Sequence, residues 1–314
     1  MKIGIIGFGS IGKRHFENTV LRSDVSIVVF SQRTDLGDIE TVSSWEELKA
    51  RGPFDAFFIT NETAKHVDTI ERCLKLNPKA FLIEKPLSHS TGKLSEIARD
   101  LKQKQISAWV AYNFHFFGPF LRIKKIVQNK TLGKIYYLRV SVGQDLSKWR
   151  TRDYSKSYSS SRAGGGGVML DLVHEINYPA WLLEEKLTVR TCYLDKISDL
   201  NIDTEDYAES VLTSESGVIV SIHQDYIRTP YGRFLEIAGE LATLTWDSDN
   251  NTIIIKNNDG VVLSEKIESE RNKMYEDEIN FFIDSVKNGV YFSNIDEAIQ
   301  DVKLIEELKR YASK

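Results

Sequence analysis

Apolar positions in the first third of the chain fall into short runs separated by amphipathic stretches. Lys2–Ile6 is an apolar run that stops at Gly7, Val25–Ser31 is rich in β-branched residues, and Asp55–Thr60, Phe81–Glu84 and Ser107–Tyr112 repeat the pattern. Between them the spacing becomes helical over Ile11–Leu21, Trp45–Ala50, Thr63–Leu76 and Ser88–Gln103. Buried strands alternating with helices of this length predict a parallel sheet covered on both faces. The pattern changes near Asn113. A helix over Phe117–Asn129 leads to a strand at Tyr136–Val142, then to a loop rich in Tyr, Ser and Arg, the glycines 164–167, and a helix from about Val168 to Leu183. From Thr188 to Ser264 the chain reads mostly as strands with hairpin-length turns, such as Asn258-Asp259-Gly260, and so predicts a largely antiparallel sheet. Helices at Tyr275–Lys287 and Asp296–Tyr311 close the chain. The predicted fold is an α/β domain over residues 1–115 followed by an α+β domain over 116–314 with a mainly antiparallel sheet.

Composition narrows the function classes. The 314 residues carry 41 Lys+Arg against 45 Asp+Glu, a formal net charge of −4. That balance argues against a nucleic-acid binder and against adhesion to anionic membranes. No apolar run reaches the roughly 18 residues a transmembrane helix needs. The opening MKIGIIGFGSIG superficially resembles a signal peptide, but its glycine spacing and Lys13 and Arg14 cut the run short. Cys73 and Cys192 lack metal-ligand spacing and cannot build a disulfide framework, so the expected location is the reducing cytoplasm.

Gly7-Phe8-Gly9-Ser10-Ile11-Gly12 is a G-x-G-x-x-G placed after a strand and opening a helix, the setting of a dinucleotide pyrophosphate site. Gly7 serves the tight turn, Gly9 the close approach of backbone to phosphate, and Gly12 the packing of helix on strand, while amides at the helix start hold the anion. An NAD site places an acid about twenty residues on. Here the second strand ends Phe30-Ser31-Gln32-Arg33, with no acid at its tip. Ser31 and Arg33 suit a 2′-phosphate, which points to NADP, although Arg33 also reads as a solvated loop charge. Asp35 stands close enough in sequence to reach a ribose, so NAD stays open.

Glu84-Lys85-Pro86 ends a parallel strand, where open α/β sheets put their ligands. A lysine there, beside a positive pyridinium ring, can exchange a proton with a substrate hydroxyl. A surface salt bridge at a strand end accounts for the tripeptide equally well. G-F-G-S-I-G-K-R-H near the start, Glu84-Lys85-Pro86, Tyr112-Asn113-Phe114 and Gly165-Gly166-Gly167…Asp171…His174 together resemble the glucose–fructose oxidoreductase / inositol dehydrogenase (Gfo/Idh/MocA) family, in order and over nearly the whole chain. The resemblance implies a Rossmann domain followed by an open-faced, mainly antiparallel sheet domain. It also implies NAD(P)-dependent oxidation or reduction at a carbinol or carbonyl of a sugar or cyclitol. By the same resemblance Lys85 is the central acid/base residue, Pro86 is cis, Thr60, Asn61 and Glu84 contact the cofactor, and Asn113 sits near the nicotinamide.

Asp171, His174 and Glu175 are spaced to share one face of the predicted helix. The family commonly has Asp and His four apart; here the fourth position is Glu175. His174 is favoured as proton shuttle because imidazole titrates near neutrality, with Asp171 orienting it or bonding a sugar hydroxyl. His115 stands where relatives often show an arginine, and either tunes the pocket or caps the next helix. The loop holding Trp149, Arg150 and Tyr154 suits stacking on a sugar and pairing with phosphate, but equally suits packing at the domain junction. It resembles the loop of family members associated with surface polysaccharides and nonulosonates, which points to a nucleotide-activated or acidic sugar. The glycines before the helix read as a flexible entry. His15, His66, His89 and His223 read as ordinary structural histidines, and no metal site is expected. Three functional readings remain: a dehydrogenase on a small carbohydrate, a non-catalytic NAD(P)-binding sensor, or an enzyme in which transient oxidation enables elimination or glycoside cleavage. Exposed sheet faces predict a homodimer or homotetramer.

Overall fold

A computed structural model of the chain describes residues 1–149 and 153–312. It forms two compact units: Met1–Ala111 with Tyr275–Val302, and Tyr112–Met274 with Lys303–Lys314. In the first unit, strands β1 (Lys2–Ile6), β2 (Ser26–Phe30), β3 (Thr41–Val42), β4 (Ala56–Ile59), β5 (Ala80–Ile83) and β6 (Ser107–Val110) make one parallel sheet in the order β3-β2-β1-β4-β5-β6. The order runs outward from β1 in both directions, so β1 and β4 flank the crossover point where such sheets bind ligands at their carboxyl ends. Helices α1 (Ser10–Val20), α2 (Trp45–Ala50), α3 (His66–Leu74) and α4 (Leu94–Gln103) connect the strands. The near-continuous apolar strands are the signature of a sheet buried on both faces: Ala56, Phe57, Phe58 and Ile59 of β4 are all buried.

The second unit opens with α5 (Gly118–Gln128), β7 (Ile135–Gly143) and the short α6 (Leu146–Trp149). Two helices, α7 (Val168–Asp171) and α8 (His174–Leu183), follow, and then β8 (Leu187–Asp195), β9 (Tyr207–Ser214), β10 (Ile219–Asp225), β11 (Gly232–Gly239), β12 (Thr243–Asp247), β13 (Thr252–Asn257) and β14 (Gly260–Lys266). These strands form an eight-stranded sheet in the order β14-β13-β12-β11-β7-β10-β9-β8. Only the central β7–β10 pair is parallel; every other pair is antiparallel. Strand β9 alternates strictly, with Ala208, Ser210, Leu212 and Ser214 buried and the residues between them half-buried, so the two faces of the sheet differ in burial.

Two expectations change here. A continuous helix over 168–183 is predicted, whereas the chain breaks between α7 and α8. The Leu172 carbonyl accepts the Gln224 Nε2 amide of β10 at 2.7 Å. Asp171 therefore ends α7 and His174 opens α8. The glycines are not a flexible hinge either. A Cβ on Gly166 would run into the Tyr158 and Ser159 carbonyls, and Gly167, at φ +117°, packs directly against the Glu205 carboxylate. They permit close approach of backbone, a packing role that glycine serves as well as freedom of rotation.

The closing helices are α9 (Lys273–Lys287) and α10 (Ile295–Ala312), and the chain returns through them to the first unit. Ile279, Phe282 and Ile283 of α9 enter the same core as Ile3, Ile5, Val29, Phe58 and Leu82, so residues 275–302 belong to the first unit. Asn294 bonds both backbone groups of Val110, at 2.7 and 2.9 Å, and Ser293 bridges Ala108, which covers the open edge of β6. Amphipathic spacing identifies these helices but does not say which sheet they cover.

Candidate active site

The glycine loop joins β1 to α1. Gly7 sits at φ +100°, its N–H donates to the Phe30 carbonyl at 3.0 Å, and a Cβ there would lie 2.7 Å from the Asn61 backbone. A Cβ on Gly12 would run into the Gly7 carbonyl. At Gly9, by contrast, a Cβ would meet no protein atom within 4 Å. Protein packing thus demands glycine at two of the three positions, while the third faces open space. No side chain caps α1, so the amides of its first turn, at Ser10 and Ile11, are presented to an anion. These features fit a dinucleotide pyrophosphate. Phe8 is buried edge-on against Phe16 and contributes backbone only. Thr60 braces the loop: its hydroxyl donates to the Gly7 carbonyl at 2.7 Å. Asn61 Nδ2 donates to Thr69 Oγ1 at 2.8 Å.

The turn after β5 lies on the same edge of the sheet. The Lys85–Pro86 bond is cis, as the resemblance implied. Its flanks are held by two buried histidines that the sequence reading treated as ordinary. His15 Nε2, three residues beyond Gly12 on α1, lies 2.6 Å from Glu84 Oε1. His66 Nδ1 lies 3.1 Å from the Pro86 carbonyl, and its Nε2 lies 3.1 Å from the Asn61 carbonyl. Burial lowers the His66 pKa, outweighing those two carbonyls and the Glu84 charge. Beneath β6 the buried Glu278 carboxyl accepts Trp109 Nε1–H at 3.0 Å; burial raises its pKa well above the usual carboxylate range, and the Glu84 charge pushes the same way. The only sequence hint of the first contact was the placement of His15 one turn after the glycine motif.

In the second unit Asn113 and His115 lie in a single 3-10 turn, Asn113–Phe116, and both are buried. The His115 ring stacks on Trp181 at 4.5 Å, and Nε2 meets Asn177 Oδ1 at 2.9 Å. Burial brings its pKa down to about 4, against the opposing effect of the Asn177 hydrogen bond, and so favours the neutral imidazole. Asp171 Oδ2 accepts the Tyr226 hydroxyl at 2.7 Å, deep in the unit. His174 packs edge-on against Phe114 at 4.7 Å. Glu175, beside it, is fully buried, with Oε1 2.6 Å from Arg233 Nε, and the Arg233 guanidinium lies over the Phe114 ring at 4.5 Å. Burial disfavours that guanidinium charge, but the Glu175 field outweighs it and raises the Arg233 pKa. Glu175, expected as a substrate contact, is thus paired with Arg233 in the interior. Trp149 meets Tyr226 edge-on at 6.0 Å, and the Tyr154 hydroxyl accepts the Asn201 N–H at 3.1 Å, so both pack within their own unit. Arg150 lies outside the described residues.

Two family models match the chain: the oxidoreductase family with an NAD-binding Rossmann fold over residues 1–112, and the Gfo/Idh/MocA C-terminal domain over residues 120–245. The chain is 24% identical to myo-inositol 2-dehydrogenase of Thermotoga maritima, covering 92% of this chain and 89% of that protein. Among solved structures it is similar to myo-inositol 2-dehydrogenase of Lactobacillus plantarum, with TM-score 0.83 and 20% identity over 100% of this chain and 97% of that one. It is also similar to a levoglucosan dehydrogenase solved with NADH and L-sorbose, with TM-score 0.86 and 16% identity over 100% of this chain and 97% of that one. Among the described residues no helix is long and apolar enough to cross a membrane, and no group of three His, Cys, Asp or Glu side chains is placed to hold a metal ion.

Proposed function

The chain belongs to the Gfo/Idh/MocA oxidoreductases, and from that premise we propose that it interconverts a secondary alcohol and a ketone on a sugar, nucleotide-sugar or cyclitol. NADP(H) is the preferred dinucleotide and NAD(H) is accepted. The dinucleotide, when bound, supplies or takes the hydride. The protein supplies the rest. Amides at the start of α1 hold the pyrophosphate, and Ser31 and Arg33 take the ribose 2′-phosphate. Lys85 exchanges the proton of the reacting hydroxyl, His174 passes that proton on, and Asp171 orients the substrate hydroxyls. Thr60, Asn61 and Glu84 shape the cofactor side, and Asn113 lies near the nicotinamide. The observation that carries the reading is the His15–Glu84 contact. It ties the helix that begins at the glycine loop to the residue preceding Lys85, so anion-binding amides and a candidate acid/base share one sheet edge.

The test is hydride transfer. Purified protein is titrated with NADPH and NADH by fluorescence and then assayed against a panel of cyclitols, free sugars, sugar acids and nucleotide-sugars. Dinucleotide binding with turnover on at least one panel member, lost in Lys85→Ala, is expected. Tight binding with no transfer to any of them would refute the catalytic reading in favour of a dinucleotide sensor. We also infer a homodimer or homotetramer, supported by Tyr136, Tyr193 and Ile219, which stand at least half exposed on the strands of the second unit. Light scattering after size exclusion checks it; a monomer at micromolar concentration refutes it.

A further inference from the structure

Glu278, on α9, is fully buried and takes no part in the reaction described so far. Its Oε1 accepts the Trp109 indole N–H at 3.0 Å, while Oε2 is buried with no hydrogen-bond partner among the described residues. His15, on α1, is in the matching condition. It is fully buried, its Nε2 lies 2.6 Å from Glu84 Oε1, and its Nδ1 is buried without a partner among the described residues.

The two helices lie side by side. At one end the Arg14 guanidinium lies over the Tyr275 ring at 4.5 Å. At the other, Arg22 donates to Asn280 Oδ1 at 3.0 Å and to Asp284 Oδ1 at 2.6 Å. Between these contacts His15 and Phe282 meet the same Phe58 ring edge-on, at 5.8 and 5.5 Å. Glu278 stands one turn before Phe282, in the stretch of α9 that faces His15. The groups around it are thus His15 from α1, Glu84 from the end of β5 and the neutral Trp109 indole from β6, with Arg14 and Arg22 at the rim. Burial favours the neutral acid at Glu278 against the Trp109 hydrogen bond, and the Glu84 charge adds to the preference.

An indole N–H needs only an acceptor, and a glutamine would supply one without an ionisable group to bury. A glutamate here is accounted for if its proton matters. A carboxylate only accepts, so the hydrogen between His15 and Glu84 is on Nε2. Loss of the Glu278 proton would leave two carboxylates facing one imidazole N–H, and Glu84 would lose part of its hold. That hold joins the helix that opens at the glycine loop to the residue before Lys85. On the reading of Lys85 as the acid/base residue, we propose that Glu278 is its positioning residue, acting through His15 and Glu84 as the far end of a buried row that carries a single negative charge.

The experiment compares the wild type with Glu278→Gln over the pH range in which circular dichroism shows both folded. Infrared difference spectra near neutral pH read the carbonyl stretch of a protonated carboxyl, which is expected in the wild type and missing in the variant; its absence from the wild type overturns the proposal. NADPH dissociation constants, from nicotinamide fluorescence, are expected to agree within about twofold near neutral pH and to diverge as pH rises, the wild type weakening at least about threefold relative to the variant. Turnover is expected to diverge over the same range, and Lys85, common to both proteins, cancels in the ratio. A ratio of NADPH constants that stays flat with pH, with the acid band present, makes Glu278 a packing residue and overturns the positioning role. Neither the infrared nor the NADPH measurement needs a substrate, so failure of hydride transfer on every panel member refutes the proposed reaction while these two still decide the role of Glu278.

Discussion

Glu175→Gln separates a structural anion from a catalytic one. The substitution keeps volume and shape and removes one charge. Glu175 has no exposure, and the Arg233 side chain is 12% exposed, so the guanidinium would be left in the interior against a neutral amide oxygen and the Phe114 ring. Removing one member of a buried pair costs about 3–5 kcal/mol. The Phe114 contact is present in both proteins and cancels, while the glutamine amide oxygen still accepts an N–H from the guanidinium, which places the expected loss at the low end of that range, about 3 kcal/mol. In a unit of this size that is a fall in Tm of roughly 10 °C. Urea and thermal unfolding followed by circular dichroism measure it directly. Glu175→Gln/Arg233→Met, which removes both charges and refills the volume with an apolar chain, is expected to recover most of the loss. Dinucleotide affinity is expected to stay within about twofold in both variants, since neither charge lies in the unit that holds the glycine loop. Stability within about 0.5 kcal/mol of wild type in Glu175→Gln, combined with a collapse of turnover, would refute the reasoning and give Glu175 a place in the reaction.

Lys85→Ala is expected to retain NADPH affinity and lower turnover about 10²–10⁴-fold, read by fluorescence titration and steady-state rates on the same preparation. Gly12→Ala puts a methyl group into the Gly7 carbonyl and so spoils the loop; NADPH binding should weaken by at least about tenfold, and wild-type affinity would show that the loop yields more easily than its geometry implies. His223 lies between Asp225, at 2.8 Å, and Glu209, at 2.7 Å, and the Asp225 hydrogen bond raises its pKa against the opposing effect of burial, with Glu209 adding to the rise. A folded pKa above the unfolded value of about 6.5 contributes stability that is complete below that pH and is lost as pH rises through the folded pKa. Urea midpoints of the wild type should therefore fall relative to His223→Gln as pH rises above about 6.5, and parallel curves would show that the pair of carboxylates does not favour the imidazolium.

What the sequence made legible was whatever local spacing encodes. Five of the six parallel strands, the glycine loop and the antiparallel series follow from runs of three to seven residues and their turns; the sixth, Thr41–Val42, is two residues long and leaves no periodic trace. The misread parts depend on partners far along the chain. Glu175 looked like a free polar residue on a helix face because Arg233, 58 residues on, was invisible. The helix through 172 looked continuous because Gln224, 52 residues on, takes its carbonyl. The glycines 164–167 looked loose because glycine signals either freedom or crowding, and only the neighbouring carbonyls and Glu205 decide between them.

The same limit applies to Lys85, and there it has a functional consequence. Glu84-Lys85-Pro86 is too common a tripeptide to identify an acid/base residue alone. Its setting does more. The residue before the lysine is held by an imidazole 69 positions earlier in the chain, and the residue after it by one 20 positions earlier. His15 comes from the helix that opens at the dinucleotide loop, and His66 also touches the Asn61 carbonyl at the end of β4. Lys85 is thus framed by groups from α1, from α3 and from the end of β4, a degree of constraint that a solvated salt bridge would not require. Buried histidines placed on either side of a strand-end lysine are costly to desolvate, and they are accounted for if the backbone between them has to hold one side chain in a fixed place.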